Sequence, residues 1–172
     1  MPPTFKLISS NILTSNTASV TFSSIPATYT DLIVKASVRT NNGFNRNYLL
    51  LTLNGVGGTS YSIIRLSNDS GTASSAVMSN EAAIQEFPAN GGSSAASTFS
   101  NIDIYIPSYT ASQNKPITIS SAQENTSTLI DRTDTAALFK NNDAITTLTI
   151  QPNTSNDLVS GSSFYLYGIK NS

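Results

Sequence analysis

Apolar residues alternate with polar residues in segment after segment of this chain, and these segments are rich in Val, Ile, Thr, Tyr and Phe. A period of two predicts β-strands with one buried face, and β-branched and aromatic side chains suit a pleated surface. In one such segment Ile102, Ile104 and Ile106 would share one face. Asp103 and Tyr105 would then share the opposite face. The chain is therefore predicted to be all-β.

Ten strands and one short helix are predicted. The ten strands are Phe5–Ser9, Ala18–Ser23, Asp31–Arg39, Tyr48–Asn54, Tyr61–Ser67, Ala82–Phe87, Phe99–Pro107, Ile117–Ala122, Ala144–Gln151 and Ser163–Ile169. The helix is predicted over Thr133–Phe139. Mobile loops are expected at Ser70–Asn80 and Ala89–Ser97, because small and polar residues dominate both segments.

An antiparallel β-sandwich in a single domain is predicted for residues 1–172. About ten strands in a chain of this length cannot bury their apolar faces in one open sheet, so two packed sheets are required. A count of about 8–10 strands favours a jelly roll. The predicted core side chains are Phe22, Leu32, Val34, Val38, Leu49, Leu51, Leu53, Ile102, Ile104, Ile106, Leu148, Ile150, Phe164 and Leu166.

Charge is scarce, since charged residues are 11% of the 172 residues and the net charge is −1. Ser, Thr and Asn supply the polarity instead, with 67 residues together. The nine basic residues are scattered along the chain, so nucleic acid is not predicted as a partner. The longest fully aliphatic runs are triplets, so we expect neither a membrane-spanning helix nor a signal peptide.

The chain has no His and no Cys. Ser-His-Asp and Cys-His catalysis, His-bound or thiolate-bound metals and disulfides are therefore excluded. An enzyme would have to rely on carboxylates or lysines. The closest carboxylate pairs are Asp131 with Asp134 and Glu81 with Glu86. A solvated surface is the favoured interpretation of both pairs, because most Asp and Glu side chains are exposed.

Calcium is the metal most compatible with this composition, because it takes oxygen ligands. The candidate loops are Asn68-Asp69-Ser70 and Asn141-Asn142-Asp143, but neither has the spacing of a dedicated calcium loop, and turn formation is favoured. Gly57-Gly58 and Gly91-Gly92 are predicted to be hairpin turns, because no Lys-Ser/Thr follows them as in a phosphate loop. No catalytic, cofactor-binding or metal-binding residue is therefore predicted, no cofactor is expected, and no binding residue is assigned.

The segment Ser163–Ile169 carries apolar or aromatic side chains on both faces of a predicted strand. Phe164 and Leu166 would lie on one face, and Tyr165 and Tyr167 on the other. Such a strand is either central in a sandwich or covered by another subunit. A central strand is the favoured interpretation.

Three stretches, Val20–Val34, Phe99–Tyr109 and Ser162–Ile169, resemble a group of small tailed-bacteriophage virion proteins that includes capsid decoration (cement) proteins and tail-fibre components. These stretches are patterns of strands and turns, and they carry no site residue over to this chain. The resemblance implies a jelly roll or related sandwich on the virion surface, assembled as a symmetric oligomer and often as a homotrimer.

The leading hypothesis is a non-enzymatic capsid decoration protein that binds neighbouring subunits of the major capsid protein. The second is a tail-fibre or baseplate component that binds a receptor. A carbohydrate-binding or carbohydrate-cleaving module is the third, and it is disfavoured because sugar platforms commonly use Trp, which the chain lacks. No shaft-like repeat is present, and this favours the capsid over the tail.

Overall fold

The computed structural model describes residues 4–124, 126 and 130–170. These residues form strands, turns and loops, and none of them lies in a helix that could cross a membrane. The strands of this part of the chain are β1 (Phe5–Ile12), β2 (Val20–Phe22), β3 (Asp31–Val38), β4 (Arg46–Leu53), β5 (Tyr61–Asp69), β6 (Thr72–Glu81), β7 (Ile84–Asn90), β8 (Ser100–Ile106), β9 (Lys115–Glu124), β10 (Ile130–Phe139), β11 (Leu148–Pro152) and β12 (Ser163–Ile169).

The strands form two antiparallel sheets that share one hydrophobic core. The larger sheet has eight strands in the order β1-β12-β3-β8-β9-β10-β5-β6, and the smaller has four in the order β2-β11-β4-β7. Buried side chains from both sheets belong to a single contiguous cluster. This arrangement is a β-sandwich, so the predicted fold class is confirmed, with twelve strands in the described residues instead of eight to ten.

The larger sheet is twice as wide as the smaller one because two hairpins extend it. Without β5–β6 and β9–β10, the two sheets would be β1-β12-β3-β8 and β2-β11-β4-β7. Along this eight-strand frame, each strand lies in the opposite sheet from the strand before it, except that β4 and β7 are neighbours in the smaller sheet. The two hairpins both add to the β8 side of the larger sheet. This extension gives the sheet a broad surface that faces away from the smaller sheet.

All fourteen predicted core residues are buried, each with at most 4% of its surface exposed. In β3, for example, Leu32, Val34 and Val38 are fully buried, while Lys35 between them is exposed. The alternation of apolar and polar residues therefore predicts correctly which face of each of these strands is buried.

The predicted helix Thr133–Phe139 is wrong, because these residues belong to β10. This strand pairs with β9 on one side and with β5 on the other. Thr135 and Phe139 point into the core, and Asp134 and Ala136 point outward and are exposed. The Ala-Ala-Leu run has a good intrinsic helix propensity, but strand pairing on both sides overrides that preference.

The loop expected at Ser70–Asn80 is also wrong, because most of it is the edge strand β6. Ser70 and Gly71 have φ angles of 52° and 90°, which fits the two-residue hairpin turn between β5 and β6. An edge strand has a single neighbour and is widely exposed to water. Small polar side chains are therefore compatible with this strand despite their low strand propensity.

The second expected loop, Ala89–Ser97, is irregular beyond Asn90, where β7 ends. The guanidinium of Arg39 donates hydrogen bonds to four backbone carbonyl oxygens in residues 92–98, at 2.7–3.1 Å. A planar fork with five donors can satisfy several carbonyl groups at once. Arg39 therefore holds the segment against the end of the sandwich.

Gly91 and Gly92 pack against the loop at residues 41–45 and do not form a hairpin turn. A Cβ on Gly91 would lie 2.2 Å from the carbonyl oxygen of Phe44, and one on Gly92 would lie 2.4 Å from that of Asn42. Backbone hydrogen bonds join the two loops, including one from Gly92 to Asn42 at 2.8 Å. The glycine pair therefore serves close packing of two loops.

The C-terminal strand β12 lies inside the larger sheet, between β1 and β3. Its side chains Phe164 and Leu166 are fully buried in the core. Tyr165 and Tyr167, on the opposite face, are half-buried. The interpretation of this segment as a central strand is confirmed.

Candidate functional site

We name the side of the eight-stranded sheet that faces away from the smaller sheet the outer face. Its middle is a row of directly paired residues, one from each strand, which we name the central row. The central row consists of Leu7, Tyr167, Ile33, Tyr105, Thr118, Ala136, Ile64 and Val77. Apart from Thr118, these side chains are apolar or aromatic, so an apolar stripe crosses the whole sheet.

Large exposed hydrophobic side chains concentrate on the outer face. Nine are exposed in the described residues, and eight of them lie on this face. The eight are Phe5, Leu7, Ile12, Ile64, Leu66, Val77, Tyr105 and Ile130. The ninth, Phe44, lies in the loop between β3 and β4. Scattered apolar residues are ordinary on a protein surface, whereas a concentration on one face marks an interaction surface.

A groove of about 490 Å³ lies in the middle of the outer face. Its lining includes Ile33, Tyr105, Ile64 and Leu66 from three different strands. Thr118 and Ala136 lie between them in the central row, and their small side chains leave the space open. The groove is thus a consequence of small residues in β9 and β10 beside large ones in the neighbouring strands.

Two ion pairs border the groove, and each is formed within the outer face. Lys35 Nζ lies 2.8 Å from Asp103 Oδ2, across the pairing of β3 with β8. Arg132 donates to both carboxylate oxygens of Asp134 at 3.0 Å, and these hydrogen bonds lower the pKa of the Asp134 carboxyl. Arg132 also donates to Ser120 Oγ at 2.8 Å. The two positive and two negative side chains therefore neutralise one another.

Tyr105 is fixed at one end of the groove by a buried carboxylate. Its hydroxyl donates to Asp31 Oδ2 at 3.0 Å, and the backbone N–H of Ser108 donates to Asp31 Oδ1 at 2.8 Å. Partial burial, followed by the hydrogen bond to Asp31, raises the pKa of the Tyr105 hydroxyl. The hydrogen bond to Asp31 holds the ring of Tyr105 in place on the outer face.

The carboxylate pair Asp131 and Asp134 is not brought together. Side chains three residues apart in a strand point to opposite faces of the sheet. Asp131 is buried on the inner side, where it accepts hydrogen bonds from Gln123 and from the backbone of Ser70. Asp134 lies on the outer face beside Arg132. The two carboxylates face different surfaces and cannot act on one substrate.

Glu81 and Glu86 are held by separate partners. Glu81, at the end of β6, accepts a hydrogen bond from Gln85 at 2.9 Å. Glu86, in β7, forms a mostly buried ion pair with Arg65. In an acid–base pair both carboxylates must be able to contact one substrate. Glu81 and Glu86 instead contact different side chains of the protein, so the structure does not present them as such a pair.

The two candidate calcium turns have other ionic partners. Asp69 forms an ion pair with Arg46. The carbonyl oxygen of Asn141 accepts a hydrogen bond at 2.9 Å from the buried ammonium of Lys115. In the part of the chain that the structure describes, no group of three acidic side chains is placed to hold a metal ion. At the second turn, the cation beside the carbonyl groups is a lysine of the chain itself.

The outer face was not assigned as a site from the sequence, although one strand carried a signal. Within Tyr61–Ser67, Tyr61 and Ile63 occupy one face, and Ile64 and Leu66 occupy the other. A strand that is apolar on both faces needs cover on both. The C-terminal segment Ser163–Ile169 carries the same signal. Val77 gave no signal, because its surroundings predict a loop.

Comparison of the chain with protein-family models and with curated proteins gives no match.

Proposed function

We propose that the chain is a non-enzymatic structural protein of a tailed-phage virion, and that it decorates the capsid by binding neighbouring subunits of the major capsid protein. The apolar outer face is the observation that carries this proposal. A catalytic site needs convergent polar groups, whereas this face offers an extended apolar stripe and ion pairs that already neutralise each other. Such a surface suits a protein partner.

The fold supports the same proposal. We propose that the sandwich is a jelly roll with two hairpin insertions, because its eight-strand frame divides into two four-stranded sheets and every step along it changes sheet except the one from β4 to β7. A jelly roll consists of two such sheets and occurs in virus capsid proteins. The resemblance of Val20–Val34, Phe99–Tyr109 and Ser162–Ile169 to phage virion proteins supports this assignment independently of the topology.

Assembly as a homotrimer on the virion surface is part of the proposal. A trimer can meet three capsid neighbours at a local three-fold position, and each weak contact is then strengthened by the others. Since charge is scarce in the chain, the contact with the capsid should depend on apolar burial and hydrogen bonds. Raising the salt concentration should therefore release little of the protein from virions.

The number of copies per particle tests the proposal. Quantitative mass spectrometry of purified virions, with the major capsid protein as internal reference, should find hundreds of copies that remain with tail-less heads. A dozen or so copies, confined to purified tails, would support the tail-fibre or baseplate alternative instead. Absence of the chain from purified particles would contradict both.

A further inference from the structure

We propose that the outer face is the surface through which copies of this chain contact each other. This inference rests on the proposed function and deepens it, because it assigns the outer face to the contact between copies in the proposed assembly and leaves the contact with the capsid to other surfaces of the sandwich. The occupant is a second copy, and two properties of the face favour it over a different partner. These are the size of the apolar area and the internal balance of charge.

The exposed apolar area matches what one partner contributes to a stable interface. Eight large side chains that are each about half exposed present on the order of 800 Å², since a large side chain carries roughly 150–250 Å². One partner in a standard interface buries about the same area, roughly 800 Å². The outer face is thus as large as a complete interface.

The charges of the outer face permit contact with an identical surface. Lys35 with Asp103 and Arg132 with Asp134 are paired within one face, so the face has no net charge from these groups. Two identical faces that each carry an excess of one sign of charge would repel each other. A strongly charged partner would instead require a face with an excess of the opposite charge. Neither condition applies here. The carboxylates of Asp31 and Glu124 also lie on this face, and each accepts hydrogen bonds within the chain. A mostly apolar surface whose charged groups have partners within the same chain is compatible with a copy of itself.

The outer face is also rigid, which favours association. The central row lies on eight hydrogen-bonded strands, and Tyr105 is held by Asp31. Side chains that are already fixed in position lose little conformational entropy when a partner covers them. Ile64 and Val77 are directly paired across β5 and β6, so they form one continuous apolar surface at the β6 edge of the outer face.

The experiment compares three substitutions on the face with one outside it. In the triple variant Ile64→Thr, Leu66→Thr and Val77→Thr, apolar groups are removed while a β-branched side chain keeps the strand propensity. Phe44→Thr is the matched control, because Phe44 is 74% exposed but lies in a loop away from the outer face. Sedimentation equilibrium from micromolar to millimolar concentration measures association, and circular dichroism with urea unfolding confirms that each variant is folded.

The wild type and Phe44→Thr should associate alike. The proposed trimer requires a head-to-tail contact between different parts of two outer faces and a mass of three copies, whereas a face-to-face contact gives a mass of two copies. Either mass supports the inference, and a mass of two overturns the trimer. The triple variant should dissociate at a concentration on the order of tenfold higher or more. A wild type that stays monomeric at millimolar concentration would overturn the inference. So would a triple variant that associates as strongly as the wild type, or a control that is weakened equally. A monomer that binds neutral phosphatidylcholine vesicles would assign the face to lipid.

This experiment can fail without affecting the virion assignment. Sedimentation measures the isolated protein, whereas copy number is measured on particles. A monomer that is present in hundreds of copies per head would overturn the homomeric contact and leave the decoration role intact. A trimer that is absent from virions would support the contact between copies and overturn the decoration role.

Discussion

The ring of Tyr29 occupies the position that a side chain at residue 168 would need. A Cβ on Gly168 would lie 2.3 Å from Cγ of that ring, well inside van der Waals contact. Tyr29 is part of the segment before β3 and packs against the core, so its ring covers the strand β12 at a point where the strand has no side chain. The glycine thus permits a close approach of a ring to the sheet.

Replacing Gly168 with Ala should destabilise the protein by about 1–3 kcal/mol, because the added methyl group must displace the ring or the strand. Urea unfolding measures the change. In a Tyr29→Ala background the same substitution should have a much smaller effect. Gly43→Ala is the control, since a Cβ there meets no atom within 4 Å. Equal effects of Gly168→Ala in both backgrounds would contradict the steric account.

Identical substitutions on the two sides of the larger sheet should differ strongly. Ile104 is fully buried and Ile64 is 52% exposed. Ile104→Ala should lower the free energy of unfolding by about 2–5 kcal/mol through lost burial and a cavity. Ile64→Ala should have a much smaller effect on the monomer, because its side chain is already half in water. Equal losses in urea titrations would contradict the assignment of Ile104 to the core and Ile64 to the surface.

Arg39→Lys should loosen the segment at residues 91–98. An ammonium is a compact point charge and cannot reach the four carbonyl groups that the guanidinium fork binds. Amide hydrogen exchange in this segment should therefore become faster while exchange in β8 is unchanged. Arg132→Lys, in the exposed pair with Asp134, is the control and should leave the segment unaffected. Unchanged exchange at residues 91–98 would show that Arg39 does not hold it.

The stability of the fold should fall above about pH 10, and Tyr61 should contribute to the fall. Burial raises the pKa of the Tyr61 hydroxyl, which contacts the backbone of Leu53 and Val56. Above pH 10 the unfolded chain loses a proton that the folded chain keeps, so the free energy of unfolding decreases with pH. Tyr61→Phe should be less stable at neutral pH but show a shallower decrease. Parallel curves for the two proteins would contradict this role.

Lys115→Met should destabilise the protein by about 1–3 kcal/mol, because the carbonyl groups of Gln113 and Asn141 would lose a buried donor. Burial lowers the pKa of the Lys115 ammonium. The wild type should melt at the same temperature in EDTA and in calcium chloride, and added calcium should not restore the variant. Rescue by calcium would instead identify the turn at Asn141 as a cation site.

Strands whose alternation is decided by the core were predictable from the sequence. In β3 and β8 every second residue is buried, and the pattern of the sequence reports that directly. The strands β6 and β10 were missed for a different reason. The small residues of β6 and the Ala-Ala-Leu run of β10 have weak or opposing local preferences, and pairing with β5 decides their structure. The pairing of β10 with β5 is non-local and leaves no local signal, and β6 forms a hairpin with β5 but has too few apolar residues to show a period of two.

The candidate site was less accessible from the sequence than the fold. Leu7, Tyr105, Ile64 and Val77 lie in four strands, of which only β5 and β6 are neighbours in the chain, and the pairing of all eight strands places them in one row. Each of these residues looks unremarkable by itself. An exposed apolar residue acquires meaning only through its neighbours on the same face.

Thiol labelling reports whether the outer face is covered when copies of the chain associate. The chain has no Cys, so Leu66→Cys and Phe44→Cys each provide a single reactive thiol. At high concentration, Leu66→Cys should react with a maleimide many times more slowly than Phe44→Cys, and dilution should remove the difference. A ratio of the two rates that is the same at every concentration would contradict the proposed contact between copies.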